Sequence, residues 1–207
     1  MDKLDLTKKY KSYFSAKSFP EIVEIEPAQF LSITGKGDPS SKPFADKIQA
    51  LYATAYAVKF HFKQLDSHFV VSKLECLWWF DEAKFGSPAM WEAPKKIPRS
   101  EWEYRLLIRM PEYVTEATAK TAISAVISRK KLALAEAVEF YRMTEGKCVQ
   151  MLHTGPFSSE SETLEQMNGL IQEKGFGKNG LHHEIYLSDI NKTAADRLKT
   201  ILREPVK

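Results

Sequence analysis

Residues 181–189, LHHEIYLSD, alternate in the manner of a β-strand and set the frame for the rest of the chain. Successive side chains of a strand leave opposite faces of its sheet, so His182, Glu184 and Tyr186 share one face. His183, Ile185 and Leu187 share the other, and the two aliphatic side chains assign a packed helix to that second face. The first face then carries a carboxylate between an imidazole and a phenol. A glutamate among aromatic rings can hold an organic cation, or act as a base on a substrate stacked between the rings. The competing reading of the same residues is a solvated strand face.

The chain has 207 residues, enough to bury a substantial core as one large domain or two small ones. Its net charge of +3 is too small for a nucleic-acid-binding face, which concentrates basic charge. No apolar run reaches the roughly 18 residues of a membrane span, and the basic N-terminus lacks the apolar core and cleavage site of a signal peptide. Cys76 and Cys148 lie far apart without metal-site spacing, which fits two reduced structural thiols in a cytoplasmic protein.

The N-terminal residues 1–19 form an arm that Tyr10, Tyr13, Phe14 and Phe19 can pin. A strand over residues 21–34, interrupted at Pro27, ends in a turn marked by Gly35, Gly37 and Pro39. Pro43 opens a helix with Phe44, Ile48, Leu51, Ala55 and Val58 at helical spacing, and Tyr52 and Tyr56 one turn apart on its flank. Strands are expected over residues 72–80 and 102–110. The loop between them is long, holds three prolines and Trp91, and has the character of a cover over a site. Residues 115–131 form a helix whose basic end suits the C-terminal dipole.

A second pass follows, with a hairpin over 137–143 and 147–154 turning at Glu145–Gly146. Next comes the turn TGPFSS and a helix over about 161–174, with Ser159 and Glu162 as a capping box and Gly175 past its end. Residues 193–202 read as a short closing helix. LSITGKGDPSSKPF and VQMLHTGPFSSESE each run strand, Gly/Pro/Ser turn, helix, strand. The expectation is an α+β fold of two βαββ-type units in one antiparallel sheet, with helices on one face and an aromatic ligand groove on the other. The units fall at about 20–131 and 132–207, within a single domain over 20–207. Ligands often bind at the seam between such similar units.

HTGPFSS, ETLEQMNGLIQEKGF and HHEIYLSD resemble the GyrI-like small-molecule-binding family, and the likeness extends over roughly residues 20–205. That family also supplies the effector domain of multidrug-responsive transcription activators, but no helix-turn-helix segment precedes the domain here. The resemblance implies that Glu184 faces an aromatic groove accepting flat organic compounds, with Tyr186 beside it. WEYRLLIRMPE and ECLWWFDE are similar to a stand-alone, Trp-rich subfamily of hydrolases that open the cyclopropane ring of DNA-alkylating natural products. The resemblance therefore implies binding of hydrophobic planar aromatic xenobiotics, and hydrolysis of cyclopropanoid genotoxins with Glu184 as catalytic base. The alternatives are a drug-binding protein without chemistry, and an inhibitory module acting on a protein such as DNA gyrase.

The ligand-binding candidates are Tyr56, Trp78, Trp91, Trp102, Tyr104, Phe140, Tyr141, His182 and Tyr186. Neighbours on a strand diverge, so at most one of Trp78 and Trp79 lines the groove, and one of Phe140 and Tyr141. Trp102 and Tyr104 share a face and enter together or not at all. Trp91 is placed as a lid. His182 and Glu184 could share a metal, but His61, His68 and His153 do not complete a site, so no metal and no other cofactor is expected.

Overall fold

The computed structural model describes residues 3–207, and the first two residues of the expected arm lie outside it. In chain order the elements are α1 (Leu6–Lys9), β1 (Glu21–Ile25), β2 (Ala28–Lys36), α2 (Lys42–Gln64), β3 (Leu74–Trp79), α3 (Glu82–Phe85), α4 (Ala93–Lys96), β4 (Glu103–Arg109), α5 (Glu116–Lys130), β5 (Glu139–Met143), β6 (Gly146–Thr154), α6 (Glu160–Glu173), β7 (His182–Tyr186) and β8 (Lys199–Pro205). The fold is α+β, with all eight strands in one antiparallel sheet of order β1-β6-β8-β7-β3-β4-β2-β5. Its central six strands repeat β6-β8-β7 as β2-β4-β3 about the β7–β3 seam, which is the expected pair of βαββ-type units. Among the described residues, no helix is long and apolar enough to cross a membrane.

The expected 137–154 hairpin does not form. β5 pairs with β2, whereas β6 pairs with β1. One register runs through both ladders: Ile25 stands opposite Gly146, and beyond the Pro27 bend Ala28 stands opposite Met143. β1–β2 and β5–β6 are thus two long bent strands lying side by side, and each serves both ends of the sheet, which curls upon itself. Gly146 sits at the second bend with φ +66, a conformation open to glycine. The adjacency of two apolar runs across Glu-Gly suggests a hairpin locally, but the long-range partners win.

The 193–202 helix is also replaced. Residues Ala195–Arg197 make one 3₁₀ turn, and β8 then fills the slot between β6 and β7. Leu202 opposite Met151 and Ile201 opposite Leu152 bury a segment whose Ala194, Ala195, Arg197 and Lys199 favour a helix in isolation. Gly35 lies inside β2 rather than in a turn, directly across from Tyr104. The Ser159–Glu162 capping box is absent: Ser159 Oγ donates instead to Pro156 O at 2.9 Å. Gly175 does close α6 with φ +66. At α5, Thr115 Oγ1 accepts from the Thr118 N–H at 3.2 Å.

Two clusters cover the face that carries Glu184. Over one half of the sheet, Ala50, Leu51, Ala55 and Val58 of α2 and Ala119 and Ala122 of α5 pack on Leu31, Ile33, Leu106 and Ile108. Over the other half, Leu164 and Met167 of α6 pack on Val149, Met151 and Leu202. The Ile185 face takes no helix of this kind. It packs on the arm, whose Leu6, Tyr13 and Phe14 join Phe30, Leu77, Leu107, Ile185 and Ile201. Burying Leu6 and Phe14 there contributes about 1.5–3 kcal/mol each. Phe19 does not share in this and is 56% exposed.

At the centre of that arm-covered face is a buried ionic network. Arg203, with no exposed surface, donates to Glu145 Oε2 at 3.1 Å, to Gln150 Oε1 and to Tyr13 O. His183 bridges Glu145 and Glu75 with both ring nitrogens at 3.0 Å, and Tyr13 donates its hydroxyl to Glu75. Burial disfavours the Glu145 carboxylate, but His183 and Arg203 hold its pKa at about 2. Buried charges persist where they are paired in this way.

Candidate functional site

The α2 stripe Phe44, Ile48, Tyr52 and Tyr56 recurs every four residues, one helical turn at a time, and so forms a single wall. That wall faces a groove of about 1030 Å³ on the helix-bearing side of the sheet. The groove does not lie on the opposite face, because the arm fills that face. Trp78 of β3, Glu184 and Tyr186 of β7, and Thr200 of β8 also line it, and Phe157 and Glu160 approach from the start of α6. A volume of this size suits a polycyclic small molecule. Phe44 stacks on Trp78 with centroids 5.9 Å apart and planes 10° from parallel, and Phe157 meets Tyr186 edge-on at 5.8 Å.

Glu184 is held at this aromatic surface from two sides. Its Oε2 accepts from the Tyr186 hydroxyl at 2.6 Å, and its Oε1 is 3.3 Å from His182 Nε2. The other His182 nitrogen, Nδ1, lies 2.7 Å from Glu204 Oε1. Burial alone would push His182 down, but Glu204 and Glu184 raise it to about 10, so it is an imidazolium at neutral pH. Burial, reinforced by Glu184, raises Tyr186 well above the ordinary phenol value and keeps it a donor. The carboxylate is therefore oriented by two donors while it borders the groove. It can pair with a cation or take a proton from a bound water.

Glu160, at the start of α6, is the second carboxyl of the groove. Its Oε1 is buried without a hydrogen-bond partner among the described residues. Burial first, and then the nearby Glu184 charge, raise its pKa well above the ordinary value.

The sequence candidates separate into three groups. Tyr56, Trp78, Glu184 and Tyr186 line the groove together. Tyr104 and Trp102 are on the same sheet face but stand behind Trp78, with edge-on contacts to it at 5.6 and 6.1 Å. His182 is likewise behind the surface, where it positions Glu184. The others lie elsewhere. Phe140 packs on the α2–α5 core, and Tyr141 on the opposite side under Arg105. Their strand was read as the neighbour of β6 but runs beside β2. Trp91 is no lid: α3, α4 and the turn between them carry it onto the β6–α6 cluster. Trp78 faces the groove and Trp79 the arm side, as alternation requires.

Sequence reasoning missed Phe44, Tyr52, Phe157 and Glu160. The first two were legible as members of the four-residue α2 stripe. Phe157 sits inside HTGPFSS, one of the motifs that carry the resemblance, and Glu160 directly follows it. Glu204 carried no local signal, since only the β6–β8–β7 pairing brings it to His182.

An uncharacterised conserved protein from Listeria innocua is 35% identical, with a TM-score of 0.88 over 99% of this chain and all of that one. A hydrolase from Listeria innocua is 34% identical, with a TM-score of 0.85 over the same shares. The C-terminal domain of EcmrR, 12% identical with a TM-score of 0.59 over 91% of this chain and 96% of that one, shares the fold. No curated protein sequence matches the chain. The model of the GyrI-like small molecule binding domain matches residues 18–207. The chain belongs to the GyrI-like small-molecule-binding family.

Proposed function

We propose that the groove binds hydrophobic, planar aromatic xenobiotics and hydrolyses the cyclopropane ring of cyclopropanoid DNA-alkylating compounds, a detoxification carried out in the cytoplasm. The observation that carries this reading is Glu184, fixed by Tyr186 and His182 at the surface of a groove lined by Phe44, Tyr52, Tyr56, Trp78 and Phe157. The 34% identical Listeria hydrolase supports a catalytic rather than a purely binding role. The two buried, unpaired cysteines fit a reducing compartment.

The chemistry asks little of the protein beyond placement. The rings stack the flat alkylator, and Glu184 takes a proton from a water as its oxygen bonds to the strained carbon. The cyclopropane C–C bond breaks, and its electron pair enters the conjugated ring system, which becomes aromatic as the carbonyl oxygen collects negative charge. Ring strain and aromatisation supply much of the driving force, and Glu184 supplies the base that activates the water.

The test is turnover. Catalytic amounts of protein are incubated with a cyclopropanoid alkylator, and the ring-opened water adduct is followed by mass spectrometry. The expected outcome is many turnovers by wild type and a loss of about 10²–10⁴-fold in Glu184→Gln. Tight binding without turnover would make the protein a sequestering or sensing binder. Full activity in Glu184→Gln would remove Glu184 from the mechanism.

A further inference from the structure

Ring opening leaves charge on the carbonyl oxygen, and the base alone does not meet it. Glu160 borders the same groove as Glu184 but from the opposite element, α6 rather than β7. Its buried Oε1 has neither a hydrogen-bond donor nor an ion-pair partner among the described residues. If the group is ionised, that oxygen lacks the donor it needs, whereas a carboxylic acid tolerates the site and has a proton to give. Glu184, in contrast, has two donors within 3.3 Å. Two carboxyls with such opposed surroundings divide into an acid and a base.

We infer that Glu160 is a second catalytic residue of this groove, a proton donor to the substrate oxygen that collects charge as Glu184 activates water on the strained carbon. This rests on the hydrolase reading and adds to it a donor for the carbonyl conjugated to the strained ring. The step balances. The water oxygen bonds to carbon and its proton passes to Glu184, the C–C pair moves into the ring, and the Glu160 proton moves to the carbonyl oxygen. Exchange with solvent then returns the proton from Glu184 and restores Glu160, so one water is consumed and no other reagent is needed.

The charged and titratable groups facing Glu160 agree with this division. Burial and Glu184 favour its protonated form, and the His182 imidazolium opposes them less strongly. From β7 the Tyr186 hydroxyl is committed to Glu184, and from β6 His153 is bonded to Thr163. Lys199 and Asp189, also bordering the groove, are exposed to solvent, and Asp189 pairs with Lys192.

The experiment compares wild type with Glu160→Gln over a range of pH, following the water adduct by mass spectrometry. Binding of the pre-formed ring-opened adduct, read by quenching of tryptophan fluorescence, is measured on the same samples. The acid is active while protonated, so wild-type kcat should fall as pH rises through the Glu160 titration. Glu160→Gln should bind the adduct within a few-fold of wild type, lose about 10²–10⁴-fold in kcat, and lack that alkaline fall. An alkaline loss from His182, near 10, would persist in both. If Glu160→Gln does not fold, Glu160→Leu, apolar and of similar volume, gives the same comparison. Wild-type turnover with an unchanged rate and pH profile in the variant overturns this inference alone. A slower variant that keeps the wild-type pH profile also overturns it and leaves Glu160 a packing residue. Absence of any wild-type turnover overturns it together with the hydrolase reading.

Discussion

His182 keeps its charge inside the protein because carboxylates close on it from both ring nitrogens, Glu184 at 3.3 Å and Glu204 at 2.7 Å. Its folded-state pKa of about 10 lies above the ordinary 6.5, and this has a consequence for stability. A group raised on folding contributes fully below its unfolded value, and the contribution is lost as pH rises through the folded one. The stability from His182 is thus intact below pH 6.5 and declines between 6.5 and about 10. Urea unfolding of wild type across that window should show the decline, and His182→Gln should show a shallower one. His183, raised by Glu145 and Glu75 against its own burial, contributes in the same direction and persists in that variant. Alternation correctly divided His182, Glu184 and Tyr186 from His183, Ile185 and Leu187. Hydropathy could not show that His183, a polar residue, is wholly buried, because the arm that covers it and the charges from β3 and the turn before β6 that pair with it are all distant in sequence. Glu160 was equally hidden: as a residue in the first turn of a helix it looks like an ordinary dipole partner.

At the scale of elements, the helices were more legible than the strands. Pro43, Thr115 and Gly175 mark helix ends by local chemistry that survives in the fold. A strand depends on its partners, and neither β8 nor the separation of β5 from β6 has a local cause. Gly35 shows the difference in one position. Read along the chain it is a turn residue, but in the sheet it is the empty place across from Tyr104. A Cβ built at Gly35 would fall within 3.0 Å of the Tyr104 ring and hydroxyl, closer than real Cβ contacts. The Tyr104 ring in turn packs edge-on against Phe44, at 4.7 Å, and against Trp78. Gly35→Ala should therefore displace Tyr104 and cost about 1–3 kcal/mol. The measurement is the urea midpoint at unchanged slope. Because Phe44 and Trp78 line the groove, the same variant should also bind a planar ligand more weakly.

The whole molecule joins its similar units by exchange rather than by juxtaposition. β1 leads into the first unit but pairs with β6 of the second, and β5 leads into the second but pairs with β2 of the first. The repeat was visible in the matched runs LSITGKG and VQMLHTG, since each unit needs the same strand–turn–helix chemistry. The exchange was not, because it concerns which unit a strand completes. Arg203 and Tyr13 add a second tie, joining the last strand to the arm through a buried hydrogen bond. Neither half then has a closed sheet of its own. Residues 1–131 would lack the partners of β1, β3 and the outer side of β2, and residues 132–207 would lack those of β5, β6 and β7. Each would expose unpaired strand edges and apolar surface that the intact chain buries. We expect the full chain to unfold in a single calorimetric transition, and each half expressed alone to show no cooperative transition. Co-expression of the two should restore a folded complex, because the exchanged ladders, the β3–β7 seam and the arm supply the missing partners in trans. A half that melted cooperatively alone would show that the exchanged strands are dispensable, and would place the energy of the fold within the units rather than between them.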